Sequence, residues 1–361
     1  MKRAEDVLHR VWSGRGPVST LLLPLSWLYG CLSDAHLRRQ SHGAWRAPVP
    51  VIVIGNILIG GTGKTPLAQA LCAYLQHQGR RPGLISRGYG VRIGTRPHLS
   101  QDAQDSRWLG DEPALLHAAT QVPVAVHPRR VLAAQALLAA CPEVDVLVAD
   151  DGLQHRALAR DIEIIVQDER GIGNGRRLPA GPLRESPARL QQADWLVTHV
   201  SARPREGPAV RETARFGDPS AALASQAAAG RHVTMRLQAT HVEHLGSGTV
   251  QPWAAWREQQ AGRPVSAVAG IGQPARFFAM LQAQGLALHD TVALPDHGRL
   301  TAATLARLPA GPVLLTAKDA IKCRPPHDGR LWMVHAQAVF SPASWMADLF
   351  TQLARAPSGT D

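Results

Sequence analysis

The sequence predicts an α/β protein built on a parallel, doubly wound sheet with helices on both faces, with a second, smaller α/β domain after it. Three observations carry this. VPVIVIGN, VDVLVAD and IEIIVQD are short, continuously apolar runs of the kind that form strands buried on both faces. Helical stretches alternate with them. The first run leads into a glycine-rich turn that opens a helix at Lys64-Thr65.

From Pro48 the elements follow in order. The strand ending at Gly55-Asn56 precedes an amphipathic helix, Thr65 to Gln78, closed by Gly79. RPGLISRGYG supplies a short strand and a glycine loop, Asp111 to Ala119 a helix, PVAV a strand, and Arg130 to Ala140 a further helix. Strands at 144–150, 162–168 and 193–200 complete the first half. Between Ala202 and Gly230 the composition shifts to Pro, Gly, Ala and Ser, which marks a boundary near residue 230. RHVTMRLQATHVEHL then alternates like an exposed strand. PVSAVAGIGQPARFFAMLQAQG, GPVLLTAKDAIKC and RLWMVHAQAVF restart the α/β pattern.

The 361 residues allow two packed domains, and the net charge of +11, from 39 Lys and Arg against 28 Asp and Glu, implies an anionic partner. Four cysteines without a C-x-x-C pair read as thiols in a reducing compartment, not as disulfides or a zinc site. Val18 to Leu32, VSTLLLPLSWLYGCL, is strongly apolar, but it is shorter than the ~20 residues of a membrane-spanning helix and Pro24 interrupts it. Glu5, Asp6 and Tyr29 do not suit a signal peptide. Basic residues and Trp12, Trp27, Tyr29 and Trp45 along residues 1–46 suit a segment lying in a membrane surface. A helix packed on the protein's own core suits them equally.

The glycine turn is the first chemical motif. A phosphate loop spelled G-x-x-x-x-G-K-[ST] wants glycine at position 58, where this chain has Leu58. Strand, turn and helix nevertheless stand in the order an anion site needs, with Gly60, Gly61, Thr62 and Gly63 free to wrap a phosphate. Lys64 is expected to reach the β and γ phosphates of ATP, and the Thr65 hydroxyl to bind Mg²⁺. VLVADDGLQH is the second motif. Its apolar strand delivers Asp150 as the metal-binding acid, with Asp151 as a neighbouring carboxylate. S-R-G-Y-G, G-D-E-P and N-G-R-R-L-P-A-G-P-L-R-E bring Arg87, Asp111, Arg184 and Glu185 to the same edge, an acid-and-arginine set that phosphoryl transfer uses. His297, in the loop P-D-H-G, is a further candidate. Thr316-Ala317-Lys318-Asp319 lacks the residue between Lys and Asp that a guanine-recognition motif has, so that reading is rejected.

GNILIGGTGKTP, SRGYG, GDEP, DDGLQH, GNGRRLPAGPLRE, AGIGQPARFF, PDH and TAKDAIKC occur in this order. From about residue 17 to about residue 340 the chain closely resembles the tetraacyldisaccharide 4′-kinase family of Gram-negative lipid A biosynthesis, whose own loop has this variant spelling. The resemblance implies a P-loop NTPase-like three-layer α/β/α domain (47–230) and a smaller α/β/α domain (231–361), joined by two linker strands near 231–245 and 330–340. It implies transfer of the γ-phosphate of ATP, with Mg²⁺, to the 4′-hydroxyl of an acylated glucosamine disaccharide 1-phosphate, giving lipid IVA. It also implies that residues 1–46 rest on the cytoplasmic face of the inner membrane, and no nucleic-acid partner. Carried over by position, Asp111 matches the family's proposed base and His297 its partner in a dyad. Arg87, Tyr89, Arg130, Gln154, His155, Arg184 and Glu185 match residues around nucleotide and sugar. The choice between Asp111 and Asp151 as base stays open. Ala317 departs from the Glu common among relatives, and the Arg129-Arg130 doublet leaves the matching arginine ambiguous by one. Two other classes are weighed. An NTPase that drives metal or protein delivery carries lysine where this chain has Ile59, and a charge-driven nucleic-acid or lipid binder leaves the ordered acids unexplained.

Overall fold

The computed structural model describes residues 11–12, 14–201, 230–295, 298–323 and 327–355. They fall into two compact units, one of residues 11–199, 230–235 and 340–355 and one centred on 236–339. The chain passes from one to the other within two long strands, β8 (His232–His244) and β13 (Leu331–Ser341).

The first unit is built on β1 (Val51–Gly55), β2 (Pro82–Ser86), β3 (His98–Leu99), β4 (Val124–Val126), β5 (Val146–Asp150), β6 (Ile162–Asp168) and β7 (Trp195–His199). With the start of β8 they form the order β8-β7-β6-β1-β5-β2-β4-β3. Every pairing is parallel except the two-residue edge strand β3, which runs antiparallel to β4. Every residue of β1, β5 and β6 is buried, as their unbroken apolar runs predict. Registers Ile54↔Asp150, Gly55↔Ile165 and Asp168↔His199 bring the carboxyl ends of β1, β5, β6 and β7 to one edge of the sheet. In such sheets that edge receives the ligand.

Helix Lys64–His77 buries Leu67, Ala68, Leu71, Cys72 and Leu75, one stripe at helical spacing. Helix Arg130–Ala140 buries Ala133, Ala134 and Leu137 in the cluster that also holds Val51, Val53, Ile85 and Leu147. Helix Trp345–Ala354, beyond the last element read from the sequence, belongs to this unit. Its Gln352 accepts from Trp195 Nε1 (3.0 Å) and donates to Asp194 (2.9 Å), and Trp345 packs edge-on against Trp195.

Pro24 interrupts the N-terminal apolar run as expected: one helix ends just before it and a second begins around it. It sits in the first turn of Leu23–Ser41, where its missing N–H costs nothing, after the short helix Pro17–Leu21. Among the described residues no helix is long and apolar enough to cross a membrane.

The second unit has β10 (Ser266–Ala269), β11 (Asp290–Ala293), β12 (Val313–Thr316), β13 and β8 in the order β11-β10-β12-β13-β8, with β9 (Val250–Pro252) antiparallel to β8. Trp253, Trp256, Phe277, Leu281 and Leu314 form its core. The TAKD motif has a structural role here. The buried Asp319 accepts from Gly270 N–H (2.9 Å) and from Thr316 Oγ1 (2.6 Å), fastening the turn after β10 to the turn after β12. All four cysteines are free, with Cys72 and Cys141 buried.

Candidate functional site

Leu58, the residue that breaks the usual loop spelling, is buried at 1% exposure among Ile57, Leu153, Ile165 and Leu183. It bridges Leu183, while Ile59 N–H donates to Pro182 O (3.0 Å) and Arg184 N–H to Ile57 O (2.7 Å). The entry to the glycine turn is therefore stitched to the segment that carries Arg184. An apolar side chain serves that packing, and a glycine there would leave a hole. Beyond it Gly60 and Gly63 adopt φ of 98° and 99°, a left-handed region that disfavours side chains. At Gly63 a Cβ would also lie 2.5 Å from His199 Nδ1. Asn56, fully buried, donates to Gly60 O (3.2 Å) and holds the turn from within.

The two acids at the end of β5 meet opposite fates. Asp150 is 1% exposed, and its Oδ1 has no hydrogen-bond partner among the described residues. Burial, then the charges of Glu112 and Asp151, push its carboxyl up to about 7 from an ordinary 3.8, against the pull of Lys64 and Arg130. Asp151 stands in a left-handed conformation, φ 50°, with Lys64 Nζ at 3.4 Å and Arg184 Nη1 at 3.7 Å from Oδ1. Burial alone would raise it. Lys64, Arg184 and Arg130 outweigh burial and hold it below the usual carboxylate range.

The remaining candidates differ in how they stand to this pair. Arg130, not Arg129, is the buried member of the doublet. It donates to His127 O (3.0 Å) and Asp151 O (3.3 Å), and burial lowers it to about 10. His155 is lowered to about 4 by burial and by the charges of Arg130 and Arg87, so it is neutral near pH 7. Gln154 donates to Asn56 O (3.1 Å) and Glu185 Oε1 (2.8 Å) and accepts from Arg184 (3.4 Å). Glu185, 3% exposed, also takes Arg156 (3.1 Å) and stands 3.7 Å from Arg189, so its oxygens are committed to neighbouring side chains. Asp111 opens helix Asp111–Thr120, half-buried, next to Glu112. Arg87 and Tyr89 are exposed, Tyr89 at 71%. Thr62 is fully buried with its hydroxyl unpartnered among the described residues, and Thr65 lies in the first turn of helix Lys64–His77. His297 lies outside the described residues.

Sequence reasoning missed Asn56, Glu112, Asp168, Arg170 and His199. Asp168 and His199 end their strands on the same edge as Asp150, which was a usable signal. His199 Nδ1 lies 3.3 Å from Thr62 O.

The profile of the family described as tetraacyldisaccharide-1-P 4'-kinase matches residues 18–354 of this chain. The chain belongs to that family. Among relatives named tetraacyldisaccharide 4'-kinase, one from Bordetella petrii is 48% identical over 336 residues, covering 92% of this chain and 91% of the relative. One from Dechloromonas aromatica is 42% identical over 353 residues, covering 96% and 97%. The crystal structure of LpxK from Aquifex aeolicus in complex with ATP shares the fold at a TM-score of 0.69 and 24% identity, covering 93% of this chain and 99% of that one. The kinase family matched here is the one the ordered motifs resemble, and the match extends past residue 340 to take in helix Trp345–Ala354.

Proposed function

We propose that the chain transfers the γ-phosphate of ATP to the 4′-hydroxyl of tetraacyldisaccharide 1-phosphate, forming lipid IVA. The observation that carries this beyond family membership is the pairing of a glycine turn, opening a helix at Lys64, with two carboxylates of opposite character at the end of β5. The helix N-terminus and Lys64 bind phosphate oxygens, and Arg184 and Arg130 add positive charge where the transferred group gains negative charge.

The residues fit Mg²⁺. A buried Asp150 oxygen without a partner beside a phosphate site is the donor such an ion takes, and Thr65 offers a hydroxyl. Among the described residues no cluster of three His, Cys, Asp or Glu forms a dedicated metal cage, as suits an ion that keeps waters and phosphate oxygens for most of its ligands. When bound there, Mg²⁺ supplies neutralisation of the phosphate charge. Asp111 is the preferred base for the sugar hydroxyl. Lys64 and Arg184 hold Asp151 below the usual carboxylate range, where it takes a proton poorly, which favours the other carboxylate.

Residues 17–41 serve as the membrane contact. Val18, Leu21, Leu25, Trp27, Leu28 and Leu32 are exposed, Leu21 at 81% and Trp27 at 72%, with Arg38 and Arg39 in the last turn. Burying the exposed part of each in lipid is worth on the order of 1 kcal/mol, and the cationic turn suits an anionic leaflet. The cytoplasmic face of the inner membrane is the expected location, where ATP and the acylated acceptor meet.

Transfer from labelled ATP to tetraacyldisaccharide 1-phosphate in detergent micelles, with and without Mg²⁺, tests the reading. A Mg²⁺-dependent bisphosphorylated lipid is expected. Steady ATP hydrolysis with no lipid product would overturn it in favour of an NTPase.

A further inference from the structure

We propose that Arg170 is a positioning residue for the phosphate loop. It acts as a strap that holds the loop carbonyls on one side so that the loop amides face the nucleotide on the other. This rests on reading Gly60 to Lys64 as the phosphate site.

Asp168, the last residue of β6, is buried, and it grips the arginine from three directions. Its Oδ1 accepts from Arg170 N–H (2.9 Å) and Nε (2.9 Å), and its Oδ2 from Nη2 (2.7 Å). The guanidinium plane is thereby fixed by a strand end and not by a mobile loop. From that plane Nη1 reaches Ile59 O at 3.5 Å and Nη2 reaches Gly61 O at 3.4 Å. Each contact is long and weak alone, but both come from one rigid fork carrying a full charge. The carbonyl between them, Gly60 O, is taken by Asn56 Nδ2 (3.2 Å). Three successive loop carbonyls are thus held by side chains.

A trans peptide is planar, with its C=O and the following N–H pointing in opposite directions. Turning Ile59 O and Gly61 O toward Arg170 therefore turns the N–H groups of Gly60 and Thr62 away from it. Holding those carbonyls against a cation fixes the direction of the amides and strengthens them as donors, the arrangement that makes a backbone concavity bind anions. Glycine at position 60 is called for by its φ of 98°, and a Cβ there would still leave Nη1 at an ordinary contact distance of 3.5 Å. Because the amides hold phosphate before and during transfer alike, loosening the strap weakens uniform binding, which raises KM and spares kcat.

The test uses the full-length protein with Arg170→Gln, Arg170→Lys and Asp168→Asn, and measures kcat, KM for ATP, KM for the lipid acceptor and direct ATP binding. Arg170→Gln is expected to raise KM for ATP and the ATP dissociation constant about tenfold, with kcat within about threefold and the acceptor KM unchanged. Arg170→Lys is expected to recover only part, because one ammonium cannot span two carbonyls from a fixed plane. Asp168→Asn keeps the guanidinium but loosens it and is expected to follow the same KM pattern, so a folding defect in one variant does not remove the test. Full recovery with lysine, an unchanged KM for ATP, or a fall in kcat at constant KM overturns the strap. If wild-type protein binds ATP and Arg170→Gln binds it equally, only the strap fails. If wild-type protein binds no ATP, the nucleotide reading fails with it.

Discussion

Helix Lys64–His77 turns Leu67, Leu71 and Leu75 inward, while helix Leu23–Ser41 buries Ser26, Gly30 and Leu37 and leaves Leu25, Trp27, Leu28 and Leu32 outside. The first is held by apolar burial and the second by hydrogen bonds. Ser26 Oγ donates to Arg177 O (2.8 Å) and Arg177 pairs with Asp34 (3.0 Å). Just upstream, the buried Ser19 donates to Ala180 O (2.6 Å), and Asn174 donates to Gly14 O (3.1 Å), Ser19 Oγ (3.1 Å) and Ala180 O (3.0 Å). Both helices are rich in leucine, so composition alone does not say which way each faces. What decides is whether the polar groups find partners in the protein. When they do, the apolar face is free for a non-aqueous environment.

Four experiments break or sharpen this contrast. Lys64→Met attacks the first helix at its N-terminus, the proposed phosphate site, and phosphoryl transfer is expected to fall by about 10²–10³-fold, with the thermal midpoint nearly unchanged. A rate near wild type would separate that helix from catalysis. Leu21→Glu with Trp27→Glu attacks the outward face of the N-terminal helices. Recovery on anionic vesicles is expected to drop about tenfold or more, with unfolding unaffected. A destabilised protein that still binds vesicles would show that this face packs on protein.

Asn174→Ala attacks the polar docking: Gly14 O and the Arg176 N–H lose this partner, and Ala180 O keeps only Ser19. It is expected to cost about 2 kcal/mol, read as a fall of about 4–8 °C in Tm. The last test is the pH dependence of the metal-free, nucleotide-free protein. Asp150 has a folded-state value of about 7 against an ordinary 3.8, so the folded state binds the extra proton between those values. Stability is then expected to fall as pH rises from about 4 through 7, and Asp150→Asn is expected to flatten that slope in urea midpoints taken with a chelator.

The contrast also explains what could be read in advance. The strands of the first unit were legible because a buried parallel strand leaves an unbroken apolar run, and Ile162–Asp168 matches the expected span residue for residue. Lys64, Asp150 and Asp151 were legible because a turn or strand end fixes them locally. Pro24 was legible as an interruption of the apolar run but not as the start of a second helix, because proline both ends one helix and suits the first turn of the next. Arg170 carries no periodic signal. Its ion pair spans two residues in a turn, and its reach to Gly61 crosses a strand order that no local pattern encodes. Glu185 was legible as a charged neighbour of Arg184, but not as a side chain held by Gln154 and Arg156.

The left-handed backbone of Asp151 sets two demands against each other at one position. A φ of 50° is one that glycine adopts freely and aspartate only with local help. Backbone strain alone would favour glycine there, beside the Gly152 that already follows. The carboxylate that steadies Lys64 and Arg184 would then be gone, leaving two cations to repel each other across an empty site. Backbone ease and charge balance therefore pull residue 151 in opposite directions, and replacing it would trade one source of instability for another.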